Sequence, residues 1–362
     1  FTLLLVLPGG LVGKEAMVGQ VLEVKGTVDG SIWVMKAETI SFEGEARIHG
    51  DLRVPGRPRI REKGLSRIDA TVEGSGSDRP SNYTIQLNGS ARISRLVCRT
   101  DASPLPEVTV FDEPKGRGRL SLNRAPKKAV DFSTLGNLTL NGDVGELWVP
   151  PGVYGEFTAH GNNAFVLGVA GSSSPTVYQF NELKLAGSSR LVLRGPVVIA
   201  VARGFSAEGI VGRSENPEWL EVRVARGGLE LGDDARFFGQ IVAPRGSVEL
   251  KANSRLTGGV ICDRLRVGPR ARLNLREATP VNLPPTIGLA VSEPACVAPA
   301  IIALEATAAD PEGTLDRVEF LEGSVVIGMI QVPPYRLAWQ AMAEGVYGFT
   351  ARAVDTLGAA TS

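Results

Sequence analysis

The chain has 362 residues, enough for two or three domains. Its 39 Lys and Arg balance its 39 Asp and Glu, which argues against nucleic acid or an anionic membrane as a partner, because either requires a concentrated basic face. The 43 Gly and 23 Pro, with few long helical patterns, indicate an all-β chain rich in turns.

The chain opens with a short, β-prone apolar run, FTLLLVLP. In a strand, alternate side chains would share one face, and burying four of them is worth roughly 6–12 kcal/mol before the costs of association. These four are Phe1, Leu3, Leu5 and Leu7. We predict that residues 1–19 are an extended segment, either a donor strand that completes another subunit or a cap on the apolar end of the next domain.

Other interpretations of this run remain open. It could be the remnant of a signal sequence, although no charged region precedes it and we expect the chain to be already processed. Its start resembles type IV pilins, but Leu5 stands where pilins have glutamate, and Pro8 ends the run early. No apolar run reaches the ~18 residues of a membrane span, so we predict none.

One phrase recurs through the next part of the chain. Each copy reads apolar, any residue, apolar, three small or polar residues, one more residue, Arg, apolar. The copies are ISFEGEARI (40–48), IQLNGSARI (85–93), LKLAGSSRL (183–191), LELGDDARF (229–237), VELKANSRL (248–256) and LRVGPRARL (265–273). Their arginines are Arg47, Arg92, Arg190, Arg236, Arg255 and Arg272.

The spacing of the copies predicts a solenoid. The last three start at Leu229, Val248 and Leu265, which are 19 and 17 residues apart, and earlier neighbours lie 45 and 46 residues apart, compatible with coils that carry insertions. Alternating apolar residues point inward, and Gly, Asn or Asp at the corner supplies positive φ. We predict a right-handed parallel β-helix over residues 20–281, with coils about 4.8 Å apart.

Stacking would place the six arginines in one outward column. Since like charges repel, we expect acidic neighbours to interleave, namely Glu45, Asp233, Asp234 and Glu249. The column would be either a solvated ladder whose stems cover apolar edges, or a docking stripe for an acidic surface polymer or a neighbouring subunit.

Residues 228–267, GLELGDDARFFGQIVAPRGSVELKANSRLTGGVICDRLRV, resemble a known family. They are similar to the β-helical domain of pilus-assembly (PilX-like) and related bacterial surface proteins. Those proteins repeat x-G-N-S-x-φ-x-G-x-I-Y-A-P, and the core of that phrase stands here as residues 239–244, GQIVAP. The resemblance covers residues ~180–275. It implies surface structure or attachment and brings no catalytic residues.

The segment NLPPT (282–286) ends the repeat, because Pro-Pro cannot continue a ladder, so we predict a second domain at residues 282–362. Its motifs ADPEG (309–313), VEF (318–320), PY (334–335), Trp339 and GVY (345–347) resemble bacterial immunoglobulin-like modules. The resemblance implies a β-sandwich with Trp339 and Tyr347 in or beside the core. Such modules have a further strand after the TLGAATS turn, so we expect a sandwich that lacks its last strand and has an open edge.

Little in the sequence suggests catalysis. Parallel β-helices host polysaccharide lyases and hydrolases, which need clustered carboxylates, but the pair Asp233-Asp234 falls at a corner of the repeat. His49 and His160 lie in separate regions, and neither is in a sequence context that indicates a Ser or Cys nucleophile. We predict no catalytic residue, cofactor or metal.

The three cysteines are too few and too far apart for a disulfide framework. We expect Cys98, Cys262 and Cys296 to be buried thiols, with one bridge between neighbouring turns as the alternative.

The sequence therefore predicts a structural subunit of a bacterial extracellular filament or surface appendage. It would polymerise head-to-tail, with strand donation into the C-terminal domain of the next subunit as a mode of contact. The alternative is a pilus-associated adhesin that binds surface glycans, and a carbohydrate-active enzyme is a third reading. Expected partners are the chain itself, surface glycans or pilus components, at the bacterial cell surface.

Overall fold

A computed structural model describes residues 14–36, 38–108, 116–172, 174–276, 284–292, 295, 297–310, 315–341, 343–356 and 358–362. These residues form two units, one up to residue 276 and one from residue 284. The predicted donor-strand residues Phe1, Leu3, Leu5 and Leu7, and also Cys296, lie outside the described residues. Within them, no helix has the length and apolar character needed to cross a membrane.

The first unit is a β-solenoid of about 11 turns, which confirms the predicted solenoid. Its strands are all paired in parallel with those of adjacent turns. They are β1 (Glu15–Val24), β2 (Thr27–Asp29), β3 (Ser31–Val34), β4 (Thr39–Phe42), β5 (Arg47–Arg53), β6 (Arg59–Glu62), β7 (Arg67–Glu73), β8 (Thr84–Leu87), β9 (Arg92–Cys98), β10 (Gly118–Arg124), β11 (Leu135–Asp143), β12 (Glu146–Trp148), β13 (Gly152–Ala159), β14 (Ala164–Leu167), β15 (Thr176–Leu185), β16 (Arg190–Leu193), β17 (Val197–Ala207), β18 (Ile210–Val211), β19 (Leu220–Val224), β20 (Gly228–Leu231), β21 (Arg236–Phe238), β22 (Gln240–Leu250), β23 (Arg255–Gly258), β24 (Val260–Val267) and β25 (Arg272–Leu275). A 3₁₀ turn, Pro217–Trp219, precedes β19.

Each coil contributes to three parallel ladders. In the coil of residues 240–258, residues 240–243 belong to the first ladder, 247–250 to the second and 255–258 to the third. Side chains alternate along each strand, so that Val248 and Leu250 are fully buried while Glu249 points outward. The inward residues of successive coils stack into one continuous apolar core.

The corner between the second and third ladders explains the middle of the repeated phrase. Residues with positive φ occupy it: Gly44, Gly64, Gly89, Gly161, Gly187, Asp234, Asn253 and Arg270. The prediction of Gly, Asn or Asp at this corner is confirmed. Arg270 also has a positive φ there, which was not predicted. A small residue one or two positions further along points inward, as Ala46, Ala91, Ser189, Ala235, Ser254 and Ala271 do, each fully buried. The residue after it points outward because side chains alternate along the strand, and this residue is the Arg of the phrase.

The order of coils in the stack differs from their order in the chain. Strand β1 pairs with β24 on one side and with β3 and β4 on the other. The first described coil therefore lies inside the solenoid, against the last one. Residues 15–19 belong to β1, which corrects the predicted boundary between an N-terminal segment and the solenoid at residue 20.

A second departure occurs near the other end of the stack. Strand β9 pairs with β5 and with β7, so the coil of residues 84–98 sits between the coils of residues 39–53 and 59–73. The two copies of the phrase that start 45 residues apart, at Ile40 and Ile85, therefore lie in adjacent coils, and no coil is inserted between them in the stack. In the outermost coil, Glu62 and Glu73 are exposed at the positions that pair with Leu87 and Cys98 of the coil below. Polar residues at these positions suit the end of a solenoid.

The chain must return along the stack, because β10, which pairs with β11 alone among the described strands, lies at the end opposite β6 and β7. Residues 99–108 begin this return and form a strap across other coils. The Ser103 amide lies 3.3 Å from Met35 Sδ, and Arg245 Nη2 lies 3.3 Å from Glu107 Oε1. Val108 is buried.

Two of the three cysteines are described, and both are free and buried in the solenoid. Burial raises the pKa of both Cys98 and Cys262. The expectation of buried thiols is confirmed for these two residues.

The second unit consists of two small antiparallel sheets. One has the order β26 (Thr286–Val291), β27 (Ala300–Ala309), β30 (Tyr335–Ala341). The other has the order β29 (Val325–Ile330), β28 (Leu315–Glu322), β31 (Phe349–Asp355), β32 (Ala360–Thr361). Nine residues form its buried core: Ile302, Leu304, Ala306, Val318, Phe320, Tyr335, Ala341, Ala351 and Ala353.

Candidate functional site

The six arginines of the repeat lie in one outward column of the third ladder, the arginine column. From one end of the stack to the other, its positions are Glu146, Ala164, Arg190, Ile210, Arg236, Arg255, Arg272, Thr27, Arg47, Arg92 and Arg67. All six arginines are exposed. Sequence reasoning missed Arg67, although the half-phrase GLSRI at residues 64–68 was a usable signal.

Local structure explains why these side chains point outward. In β23, Arg255 is exposed, Leu256 is fully buried and Thr257 is half-buried. Buried Ser254 precedes them, and its hydroxyl donates a hydrogen bond of 2.6 Å to the Lys251 carbonyl across the corner. The corner thus sets the phase of the alternation, and parallel pairing repeats it about every 4.8 Å.

At the two ends of the column, acidic residues pair with the arginines. Arg92 Nε and Arg67 Nε lie 2.7 and 3.0 Å from the Asp69 carboxylate, and the hydrogen bond from Arg92 is the main cause that lowers the pKa of Asp69. Arg190 Nη2 lies 3.5 Å from Glu146 Oε1. These arginines therefore have carboxylate partners, although Asp69 alone faces both Arg92 and Arg67.

The middle of the column is different. Arg236, Arg255, Arg272 and Arg47, which we call the open arginine segment, form no ion pair with any residue that the structure describes. Thr27 stands between Arg272 and Arg47. The segment therefore presents four guanidinium groups in a single row.

The expectation that acidic residues interleave in this row is wrong. Asp233 and Asp234 lie at the exposed corner, as does Glu45. Glu249 belongs to the second ladder, where its neighbours are Glu230 and Arg266. Each of these acidic positions precedes or forms the corner, whereas the arginines follow it.

A second outward column runs beside the open arginine segment. It contains Phe238, Thr257, Asn274 and Asp29, paired in that order and all half-buried. His49 Nδ1 lies 2.5 Å from Asp29 Oδ1. This neighbouring column thus offers a ring, a hydroxyl, an amide and the Asp29 carboxylate, but no Lys or Arg.

The second ladder carries charges that are mostly compensated. Lys184 Nζ lies 2.8 Å from Glu182 Oε1, Lys251 Nζ 2.5 Å from Glu230 Oε1, and Arg266 Nε 3.0 Å from Glu23 Oε2. Between Glu182 and Glu249 runs a shallow groove of about 260 Å³ with Gly and Ser on its floor. Its floor residues are Gly204, Ser206, Gly228 and Ser247.

A buried ion pair lies on the first ladder. Glu221 and Arg223 are on the outward side of β19, yet their side chains are only 4% and 1% exposed, and Arg223 Nε lies 2.5 Å from Glu221 Oε1. The sequence did not predict this pair, because the Glu-Val-Arg pattern of residues 221–223 is typical of a strand that exposes both of its charged side chains. Such a pair specifies local structure and offers no accessible chemistry.

The remaining predicted residues lie apart from the arginine column. Trp339 and Tyr347 are half-buried against the core of the second unit, edge-to-face with centroids 4.7 Å apart. His160 is exposed at another corner of the solenoid. Within the described part of the chain, no three His, Cys, Asp or Glu side chains are placed to hold a metal ion.

Comparisons with known proteins give one likeness. No family model matches the sequence, and no curated protein matches it. One solved structure, of fibronectin(III)-like modules of Clostridium thermocellum CbhA, is similar to 23% of this chain at 33% identity, with a TM-score of 0.22. The likeness covers 44% of that structure's chain.

Proposed function

We propose that this chain is a structural subunit of a bacterial extracellular filament or surface appendage. The observation that carries the proposal is the solenoid itself, a parallel ladder of about 11 turns around one continuous apolar core. Such a rod is stiff because every coil is held by the coils above and below it. The resemblance to PilX-like surface proteins and to bacterial immunoglobulin-like modules supports the same function, with a right-handed rod followed by a sandwich.

Direct stacking of rods end to end is disfavoured by their charges. The coil of β6 exposes Arg59, Arg61 and Lys63, and the opposite end exposes Arg119 and Arg124 on β10. Lys127 and Lys128 follow β10 and are also exposed. The coil of β6 also exposes Glu62 and Glu73, so its edge is charged with both signs, and charged edge strands are a common device against edge pairing. The subunits therefore join through another contact.

We propose strand donation as that contact. On the side of β31 away from β28, the described residues that pair are those of β32, which meet only Ala353 and Val354. An apolar groove of about 630 Å³ lies beside residues 345–349 and is lined by Val291, Ile302, Val346, Tyr347 and Phe349 among others. The apolar face of residues 1–8 of another subunit suits this groove, and a head-to-tail contact that does not close forms a filament.

Electron microscopy of the purified chain tests assembly. We expect long, uniform fibres. If sedimentation at the same concentrations detects only monomers, the proposal of a filament is overturned.

Variants test the mode of assembly. Leu5→Asp places a charge on the donated face and should abolish fibres, whereas Thr2→Asp on the opposite face should leave them. A synthetic peptide of residues 1–8 should compete with assembly. Fibres that persist in Leu5→Asp and resist the peptide would rule out strand donation while leaving the filament.

A second candidate is a surface adhesin that binds glycans. The open arginine segment favours it, since uncompensated guanidinium groups in a row invite an anionic ligand. A glycan array probed with the monomer separates this function from a purely structural one.

A further inference from the structure

We infer that the open arginine segment binds an extended acidic polysaccharide, one whose sugar units carry carboxylates. The chain of the ligand would run along the solenoid axis across Arg236, Arg255, Arg272 and Arg47. The inference deepens the glycan-binding candidate and rests on it. It does not require a filament, so the failure of either idea leaves the other standing.

The first argument is uncompensated charge. Neighbouring arginines of the same column have acidic partners, Asp69 for Arg92 and Glu146 for Arg190. On the second ladder, Arg266 has Glu23. The four arginines of the open segment have no such partner within the described residues, although adjacent guanidinium groups repel one another. A ligand that brings carboxylates supplies the missing charge.

The second argument is geometry. The five positions from Arg236 to Arg47 span four coil steps, about 19 Å at the usual strand separation. The guanidinium fork matches a carboxylate in bidentate geometry, so a regular row of forks fits a regular row of carboxylates. A linear polymer with periodic acid groups meets this requirement better than a compact anion does.

The third argument is the surroundings of the row. Thr257 and Asn274 lie in the adjacent column and offer a hydroxyl and an amide, which suit sugar hydroxyls, and Phe238 offers a ring. That column adds no Lys or Arg and has one carboxylate, Asp29, which lies 2.5 Å from His49 Nδ1, so the row of arginines is one cation wide. Nucleic-acid sites depend instead on wider basic surfaces and aromatic stacking platforms, which favours a sugar polymer here.

The test uses the full chain and polygalacturonate as the probe, with binding measured by calorimetry at about 50 and 200 mM salt. The triple variant Arg236→Gln, Arg255→Gln, Arg272→Gln should lose affinity by about tenfold or more and should show a shallower salt dependence. Its matched control is Arg59→Gln, Arg61→Gln, Arg119→Gln, which removes the same charge from exposed arginines that also lack ion pairs with described residues. The control should change affinity by less than about twofold.

Ligand length and chemistry sharpen the test. Affinity for galacturonate oligomers should rise with length and level off once the oligomer covers about 19 Å. Dextran, which is neutral, should not bind. Equal losses in the two triple variants, or no binding of polygalacturonate by a folded wild-type chain, would overturn the inference. So would oligothymidylate binding that is tighter and equally sensitive to Arg255→Gln, because it would identify nucleic acid as the occupant.

Discussion

The two units of this molecule are both built from β-strands, but they bury their side chains in different ways. In the solenoid, Leu22 and Leu256 have no exposed surface, because each lies between equivalent residues of the coils on both sides. In the second unit the core has nine residues, and Ile301 and Val325 are 72% and 61% exposed. Stability in the solenoid therefore depends on neighbouring coils, whereas in the small unit it depends on two sheets facing each other.

The units also differ in how they treat charge. In the second unit, Glu319 is buried and accepts hydrogen bonds from Arg317 Nε at 2.7 Å and Arg352 Nε at 2.8 Å. In the solenoid, the open arginine segment leaves like charges side by side at the surface. The solenoid also has a buried pair, Glu221 with Arg223, so the difference lies in the four arginines that it leaves without a carboxylate partner among the described residues.

The largest effect is expected where coils approach most closely. Gly258 has φ +149°, and a Cβ there would lie 1.7 Å from the Gly239 carbonyl oxygen of the next coil. Because a backbone atom cannot yield, Gly258→Ala should lower the free energy of unfolding of the solenoid by about 4 kcal/mol or more, measured by urea denaturation.

The control for this variant is Gly204→Ala. A Cβ at Gly204 meets its nearest atom at 3.7 Å, an ordinary contact, so the change should stay within about 0.5 kcal/mol. In neither variant should the transition of the second unit change, followed by Trp339 fluorescence in a background in which Trp33, Trp148 and Trp219 of the solenoid are replaced by Phe. Equal destabilisation by the two substitutions would contradict the close packing of coils.

The next effect tests the order of the coils. Leu22 lies between Leu265 and Ile40, so Leu22→Ala should lower the free energy of unfolding by about 2–5 kcal/mol. Ile60 lies in the outermost coil and is 41% exposed, and Ile60→Ala should cost less than about 1.5 kcal/mol. Denaturation of both variants under identical conditions provides the comparison. A small effect at Leu22, similar to that at Ile60, would indicate that the N-terminal coil is at an end.

A smaller effect concerns pH and the second unit. Burial alone would raise the pKa of Glu319, but hydrogen bonds from Arg317 and Arg352 outweigh it, and the pKa is lowered from 4.5. Since the folded pKa lies below the unfolded one, the stabilisation is complete above pH ~4.5 and is lost as the pH falls through the folded value. Glu319→Gln should cost about 1–3 kcal/mol at pH 7 and remove this acid-dependent loss.

Trp339 fluorescence during denaturation at pH 7 and pH 3, in the same background with Trp33, Trp148 and Trp219 replaced by Phe, measures that effect. Glu322→Gln, at the end of the same strand, is the matched control and should behave as the wild type. If the Glu319→Gln variant still loses stability in acid as the wild type does, another carboxylate is responsible for that loss.

The smallest effect concerns the open arginine segment. Arg255→Gln relieves repulsion from Arg236 and Arg272, so the free energy of unfolding at low salt should stay the same or rise by at most about 0.5 kcal/mol. Added salt should stabilise the wild type slightly more than the variant, because salt screens that repulsion. Thermal melts at two salt concentrations measure the difference. A clear loss of stability in Arg255→Gln would mean that the arginines support the fold.

Part of the arginine column followed from the sequence, and part did not. The register of Arg236, Arg255 and Arg272 is visible in three consecutive copies of the phrase. The partners of the arginines were not predictable, because Glu146 and Asp69 lie in coils that lack the full phrase. The same holds for the buried pair of Glu221 and Arg223, whose burial depends on tertiary contacts.

The local elements of the solenoid were determined by the sequence alone. Alternation sets which residues point inward, positive φ selects Gly, Asn or Asp at the corner, and a small inward residue fixes the position of Arg. The order of coils was decided only by the tertiary structure. One coil edge offers the same backbone hydrogen bonds and apolar residues as another, so the repeated phrase cannot specify which coil is its neighbour. The strap of residues 99–108 and the pairing of β1 with β24 specify it instead.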